Sequence, residues 1–240
     1  MSPGQYLLPG VYVMVSPSLQ LDNKYSIDIW LVELKKMDKD TSSLLNILDD
    51  TEQQRYHRLH RNHRHRYLLS HAACRNILSR YTGYTASEIQ YTLNTHGKPG
   101  LINSPFTFNL SHSHDLAIIV IGAGTEIGVD VEYIKPKPNW KKLAKRFFNT
   151  DEYSYLLQQA ENHQLESFFQ LWTRKEAFIK ALGTGLSTPL KSFDSSHAEQ
   201  IKIDDADNCW YQKDLTLDSA YKGCVVQNTK IKKIRYYVYA

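Results

Sequence analysis

The stretch GVDVEYI, Gly128–Ile134, follows the apolar run LAIIVIG and carries two carboxylates, Asp130 and Glu132, one residue apart. Its β-branched, alternating residues read as a strand. On a strand both acids leave the same face, about 7 Å apart, while Val129 and Val131 point the other way into a core. Two unpaired carboxylates sharing a face repel each other, and a divalent cation resolves the repulsion. A solvent-facing strand edge is the plain alternative.

Upstream of this strand, the alternating runs Ile89–Leu93, Phe106–Leu110 and Leu116–Ile121 also read as strands, as does IDIWLVEL at Ile27–Leu34. Between them, SSLLNIL suggests a short helical turn, with Asp50 and Thr51 as caps for a helix into an Arg/His-rich segment. RYLLSHAACRNILSRYTG has helical periodicity and stops at Gly83. Downstream, KPKPNW (residues 135–140) carries two prolines and suits a linker. Helices follow in WKKLAKRFF, in DEYSYLLQQA with Asn149 or Thr150 as cap, and in ESFFQLWTRKEAFIKAL, stopped by Gly183. The tail from Ile201 reads as strands. Each half runs helices first and strands second, which indicates an α+β fold with halves at 1–134 and 135–240. The letters alone show no repeat strong enough to establish a duplication.

A chain of 240 residues with 42% hydrophobic and 22% charged content has room for a substantial core. A net charge of +4 suits an anionic ligand or acidic partner and does not argue for nucleic acid. Cys74, Cys209 and Cys224 are far apart without a CxxC, so neither a disulfide framework nor a zinc site is expected. No apolar run reaches the length of a membrane helix, and the N-terminal apolar segment lacks a basic flank, so a cytoplasmic protein without a signal peptide is expected.

Three further groups could carry chemistry. In LWTRKEAFIKALGTGL, Trp172, Glu176 and Lys180 share one helix face at spacing four; Glu176 and Lys180 also read as an ordinary surface pair. In FNLSHSHD, strand TFNL ends in Ser111-His112-Ser113-His114, whose hydroxyls and imidazoles suit phosphate oxygens or a plain turn. In HGKPG, Lys98 has a defined place in a Gly/Pro-fixed loop. The segment from Arg55 to His71 holds five arginines and five histidines. Its interleaved arginines argue against zinc at His57, His60, His63 and His65 and for an anion site or a solvated basic face.

NLSHS, GVDVE and WTRKEAFIKALGTGL, in this order and spacing, resemble the 4′-phosphopantetheinyl transferases, of the surfactin-synthetase-activating (Sfp-like) type. The similarity covers roughly residues 50 to 195, including the RYLLSHAACR helix, the GKP loop, the RFF helix and GLSTPL. It implies two similar α+β halves forming an intramolecular pseudo-dimer, with coenzyme A in the cleft between them. It implies transfer of the 4′-phosphopantetheine arm of coenzyme A to a serine of an acyl or peptidyl carrier protein, releasing adenosine 3′,5′-bisphosphate. Asp130, Glu132 and Glu176 would form the Mg²⁺ set, with Glu176 also the candidate base and Lys180 neutralising the pyrophosphate. Ser111 and His112 correspond to a phosphate- and nucleotide-contacting pair, Lys98 to a residue near the adenine and its phosphates, and Arg55 and Arg66 to basic positions meeting the 3′-phosphate. The resemblance gives the histidines at 57, 60, 63 and 65 no role. A single chain holding both halves suggests a monomer. The competing readings are a Mg²⁺-dependent phosphohydrolase using the same carboxylates and a non-catalytic binder of carrier proteins.

Overall fold

The computed structural model describes residues 11–12, 21, 23–37, 40–197, 199–203 and 209–239. The apolar N-terminal segment, apart from Val11 and Tyr12, lies outside the described residues. Strands β1 (Val11–Tyr12) and β2 (Ser26–Glu33) come first, then helices α1 (Thr41–Leu45), α2 (Asp50–Arg58) and α3 (Arg61–Thr82). Strands β3 (Tyr91–Leu93), β4 (Pro99–Leu101), β5 (Phe106–Ser113), β6 (Leu116–Ala123) and β7 (Ile127–Tyr133) follow. Next are α4 (Trp140–Phe147), α5 (Thr150–Gln158) and α6 (Glu161–Leu182). The last strands are β8 (Phe193–Asp194), β9 (Gln200–Ile203), β10 (Trp210–Asp214), β11 (Tyr221–Gln227) and β12 (Lys233–Tyr239).

The α+β class expected from the sequence is found, as two modules of sheet and helix. One sheet runs β1-β12-β2-β6-β5 and the other β7-β11-β10-β9-β8. Period-two alternation in β2 and β6 sends Trp30, Val32, Ile119 and Ile121 toward the α3 side, with Ala72, Ala73 and Ile77. The opposite residues, Ile27, Ile29, Ile118 and Val120, meet Val129, Val131 and Val225 of the second sheet. The outer face of that second sheet packs Cys224 and Val226 on Ala177, Phe178 and Ala181 of α6. The sheets are therefore the two inner layers and the long helices the outer ones.

Two strands cross the division expected at 134/135. β7 precedes it in sequence yet pairs with β11, and β12 returns from the far end of the chain to lie parallel to β2. The returning strand is fixed by a buried charge: Arg235 donates from Nε to Asp28 Oδ1 at 2.6 Å, and Tyr81 Oη donates to Asp28 Oδ2 at 2.7 Å.

The helix pairs repeat with an offset of 100 residues. Helix α2 spans 50–58 and α5 spans 150–158, and each opens with a capping box, Asp49 with Glu52 and Asn149 with Glu152. Helices α3 and α6 span 61–82 and 161–182, ending at Gly83 and Gly183 in left-handed conformation, φ 76° and 70°. The capping-box acids turn inward: Glu52 accepts from Arg75 at 2.5 Å, and Glu152 pairs with Lys175 at 2.7 Å. Arg64 and Gln164, again 100 apart, staple the corner between their helices by donating to backbone carbonyls.

Several local expectations shift. Asp49, not Asp50 or Thr51, caps α2. The Arg/His segment breaks at Leu59 and His60, where His60 Nδ1 accepts from Asn62 N–H at 3.4 Å and caps α3. Strand β5 continues to Ser113, and the turn falls at His114, φ 54°. Helix α6 starts at Glu161, one turn before the apolar stripe that marked it.

Candidate functional site

Strand β7 is paired with β11 on one edge only. Along its other edge, side chains of β5 take the place of a backbone ladder. Asn109 Oδ1 accepts from Val129 N–H at 2.9 Å, Ser111 Oγ from Val131 N–H at 3.3 Å, and Ser113 Oγ from Tyr133 N–H at 3.1 Å. The period of two on both strands makes this seam, which closes the facing sheets along the β5 and β7 side. It works only because β5 runs through Ser113.

The seam carries the paired acids. Ser111 Oγ donates to Asp130 Oδ1 at 2.8 Å, and Ser113 Oγ donates to Glu132 Oε2 at 2.9 Å. Lys180 Nζ, from α6, donates to Asp130 Oδ1 at 2.6 Å and to Ser111 Oγ at 3.0 Å. Ser111 therefore uses its one donor and two acceptor positions within the protein. Phosphate contact was expected of Ser111; here it orients Asp130. Val129 and Val131 are buried behind the acids, as their alternation requires.

Helix α6 lies against β7 at Gly128. A Cβ there would meet Ala177 O and Ala181 N and come within 2.8 Å of Ala181 Cα. The absent side chain lets the backbone of β7 touch the helix beside Glu176 and Lys180. Burial, then the negative charge of Asp130 and of Glu132, pushes the Glu176 carboxyl up to about 7, against the opposing pull of Lys180. Burial and Asp130 also raise Glu132, while Ser113, Lys137 and Lys180 hold it down. Asp130, Glu132, Glu176 and Lys180 thus share one field, although 46–50 residues of chain separate Asp130 from Glu176 and Lys180.

Among the described residues, no three His, Cys, Asp or Glu side chains are gathered as a metal-holding group. The donor chemistry nevertheless fits a hard divalent cation. Asp130 Oδ2 is buried without a hydrogen-bond partner, an expensive state for a carboxylate oxygen, and the other two acids are oxygen donors held uncomfortably close to it.

The remaining expected residues fall into two places. His112 is on the α3 side of β5 and exposed. The protein around its ring, then the charges of His71, Lys180, Arg66 and His63, push it down to about 4. Arg66 lies 4.0 Å from Asp115, Arg55 sits over the Tyr67 ring at 5.8 Å, and the His71 ring stacks on Tyr67 at 3.9 Å between centroids. Arg55, Arg66 and His112 thus belong to one basic surface. Lys98 does not join it. Its ammonium donates to Ala181 O at 2.7 Å and to Glu126 at 3.1 Å, while Asn94 of the same hairpin donates to Gly183 O at 2.8 Å. These bonds fasten the β3–β4 hairpin to the C-terminus of α6. Trp172 packs on Phe147 and Phe168, as a support for the helix.

Asn109, Ser113 and Lys175 take roles that sequence reasoning does not give them, Ser113 being read there only as a strand-end hydroxyl suited to phosphate oxygens or a turn. The first two recur with period two beside Ser111, a pattern visible once the strand is extended. Lys175 is fully buried, donating to Leu190 O at 2.7 Å and Phe193 O at 2.9 Å besides Glu152; only its place 100 residues after Arg75 signals it.

A family model described as the 4′-phosphopantetheinyl transferase superfamily matches residues 126–227. Over 166 residues the chain is 32% identical to the 4′-phosphopantetheinyl transferase HetI of Nostoc sp., covering 67% of this chain and 70% of that protein. It is 37% identical over 166 residues to the 4′-phosphopantetheinyl transferase Sfp of Bacillus subtilis, covering 67% and 73%.

Proposed function

The chain belongs to the 4′-phosphopantetheinyl transferase superfamily, and we propose on that basis that it moves the 4′-phosphopantetheine arm of coenzyme A to a serine of an acyl or peptidyl carrier protein, leaving adenosine 3′,5′-bisphosphate. The observation that carries the reading is the meeting of Asp130, Glu176 and Lys180 from two elements, with Asp130 Oδ2 buried and unpartnered. The offset of 100 residues between the helix pairs supports two pseudo-symmetric halves with the reaction between them, strands β7 and β12 being exchanged across the expected 134/135 division. The enzyme acts as a cytoplasmic monomer.

Asp130, Glu132 and Glu176 would hold Mg²⁺. Bound there, the ion supplies charge neutralisation for the pyrophosphate under attack. Lys180 neutralises phosphate charge on the other side, and Ser111 keeps Asp130 turned toward the site. Glu176 is also the candidate base for the carrier serine, directly or through water. His112 offers a phosphate oxygen an imidazole N–H. Arg66 and Arg55 meet the 3′-phosphate. Lys98, which donates to Ala181 and Glu126, fixes the hairpin beside the adenine and its phosphates.

Mass spectrometry of apo carrier proteins incubated with coenzyme A, Mg²⁺ and this protein tests the reading. The expected result is a carrier heavier by one phosphopantetheine arm. Release of free phosphopantetheine without carrier would replace the transferase with the phosphohydrolase, and no turnover by the folded protein would leave a carrier binder.

A further inference from the structure

Ser113 is the last residue of the NLSHS stretch, and both hydrogen bonds of its hydroxyl go to β7. It accepts from Tyr133 N–H at 3.1 Å and donates to Glu132 Oε2 at 2.9 Å. Its counterpart Ser111 does the same for Val131 N–H and Asp130. The two serines therefore form a matched set, each holding one acid and the backbone of the residue after that acid. The matching is unequal in one respect. Asp130 is also gripped by Lys180, whereas Ser113 is the sole hydrogen-bond donor to Glu132 among the described contacts.

We infer that Ser113 is a positioning residue for Glu132, fixing the carboxylate's rotamer so that its free oxygen faces the same space as Asp130 and Glu176. A carboxylate on a half-buried strand has several rotamers, and only some present an oxygen beside its neighbours. A hydroxyl held rigidly by a backbone N–H selects among them, as outer hydrogen-bond partners of metal ligands do in general. Asn109, at the start of the same seam, meets only backbone at Val129. It therefore marks what a purely structural seam residue does. The inference rests on the proposed reading that Glu132 is a cation ligand.

The test is a double-mutant cycle in Mn²⁺ affinity, followed by the paramagnetic signal of the free ion, on the full chain without other ligands. The variants are Ser113→Ala, Ser113→Thr, Glu132→Ala and Glu132→Ala with Ser113→Ala, and thermal unfolding confirms that each is folded. Ser113→Ala is expected to weaken Mn²⁺ by about tenfold. Ser113→Thr, which keeps the hydroxyl, should stay within about twofold of the parent, and Ser113→Ala should add less than about twofold once Glu132 is gone. An undiminished penalty in the Glu132→Ala background, or no penalty in the parent, would overturn the positioning role while leaving Glu132 a ligand. Unchanged Mn²⁺ affinity in Glu132→Ala itself, or no binding by the parent, would remove the cation reading and the inference with it. Asn109→Ala, if folded, should not change Mn²⁺ affinity in either background; a loss equal to that of Ser113→Ala would reduce Ser113 to a seam contact.

Discussion

Glu176→Gln should make the metal-free protein more stable in alkaline than in acid solution, relative to the parent chain. The Glu176 carboxyl is raised from its ordinary 4.5 to about 7, first by burial and then by Asp130. In the folded state its ionised form is disfavoured. The destabilisation is absent below about pH 4.5, grows as pH rises through the interval, and is complete above about pH 7. A rise from 4.5 to about 7 corresponds to at most about 3 kcal/mol at pH 8, reduced to about 2 kcal/mol because solvent and side-chain relaxation screen a carboxyl that is not fully sealed. At pH 5 the penalty is below about 1 kcal/mol, since the unfolded carboxyl is itself only partly ionised. Urea unfolding with a chelator present, at pH 5 and pH 8, measures this directly. Titrating groups away from the site are common to both proteins and cancel, while Asp130, Glu132 and Lys180 are coupled to Glu176, so the difference reports the cluster as a whole. The variant should gain on the parent by about 1–2 kcal/mol between the two pH values. A gap that does not change with pH, or that closes on going alkaline, would refute the buried, acid-crowded position of Glu176.

Gly128→Ala should displace α6 or prevent folding, because the new methyl would come within 2.8 Å of Ala181 Cα as well as striking Ala177 O; a stable variant with unaltered activity would mean that the helix does not rest on β7. Asp130→Asn should lower the rate of arm transfer by ~100-fold or more while the protein stays folded, measured with coenzyme A and an apo carrier. Arg66→Ala should raise KM for coenzyme A about tenfold and leave kcat nearly unchanged, with little effect on dephospho-coenzyme A. Lys98→Met should lower Tm by several degrees through loss of the Ala181 and Glu126 bonds, and change KM for coenzyme A far less than Arg66→Ala does.

Much of the site was legible because the letters carried its geometry. Asp130 and Glu132 were separated from Val129 and Val131 by strand alternation alone, and the spacing of Trp172, Glu176 and Lys180 put them on one helix face. What stayed hidden depended on tertiary neighbours. Nothing in GKP says that a lysine ammonium will cap another module's helix at Ala181, and nothing in LSHS says that both hydroxyls will hold the acids of β7. The helical repeat is faint in the letters for a related reason. It is conserved in capping chemistry and in buried charge, Arg75 against Lys175 on Glu52 and Glu152, while the surrounding letters differ. The expected break at 134/135 followed the prolines, but sheet membership is decided by strand pairing, which composition does not report.

The crossing strands have a consequence for any attempt to cut this molecule in two. A fragment ending at residue 134 would take β7 away from β11 and lose β12, so that β2 would have one bare edge and Asp28 no guanidinium. A fragment beginning at 135 would hold Glu176 and Lys180 without the acids they face, and β11 would lose its partner strand. Each piece would expose strand edges of the kind that pair indiscriminately. Co-expressed, the pieces have matching edges to offer one another, and recovery of a folded heterodimer would come only from reforming both exchanged strands at once. The proline-bearing joint looks like a place to divide the chain, yet the unit of folding is the whole of it.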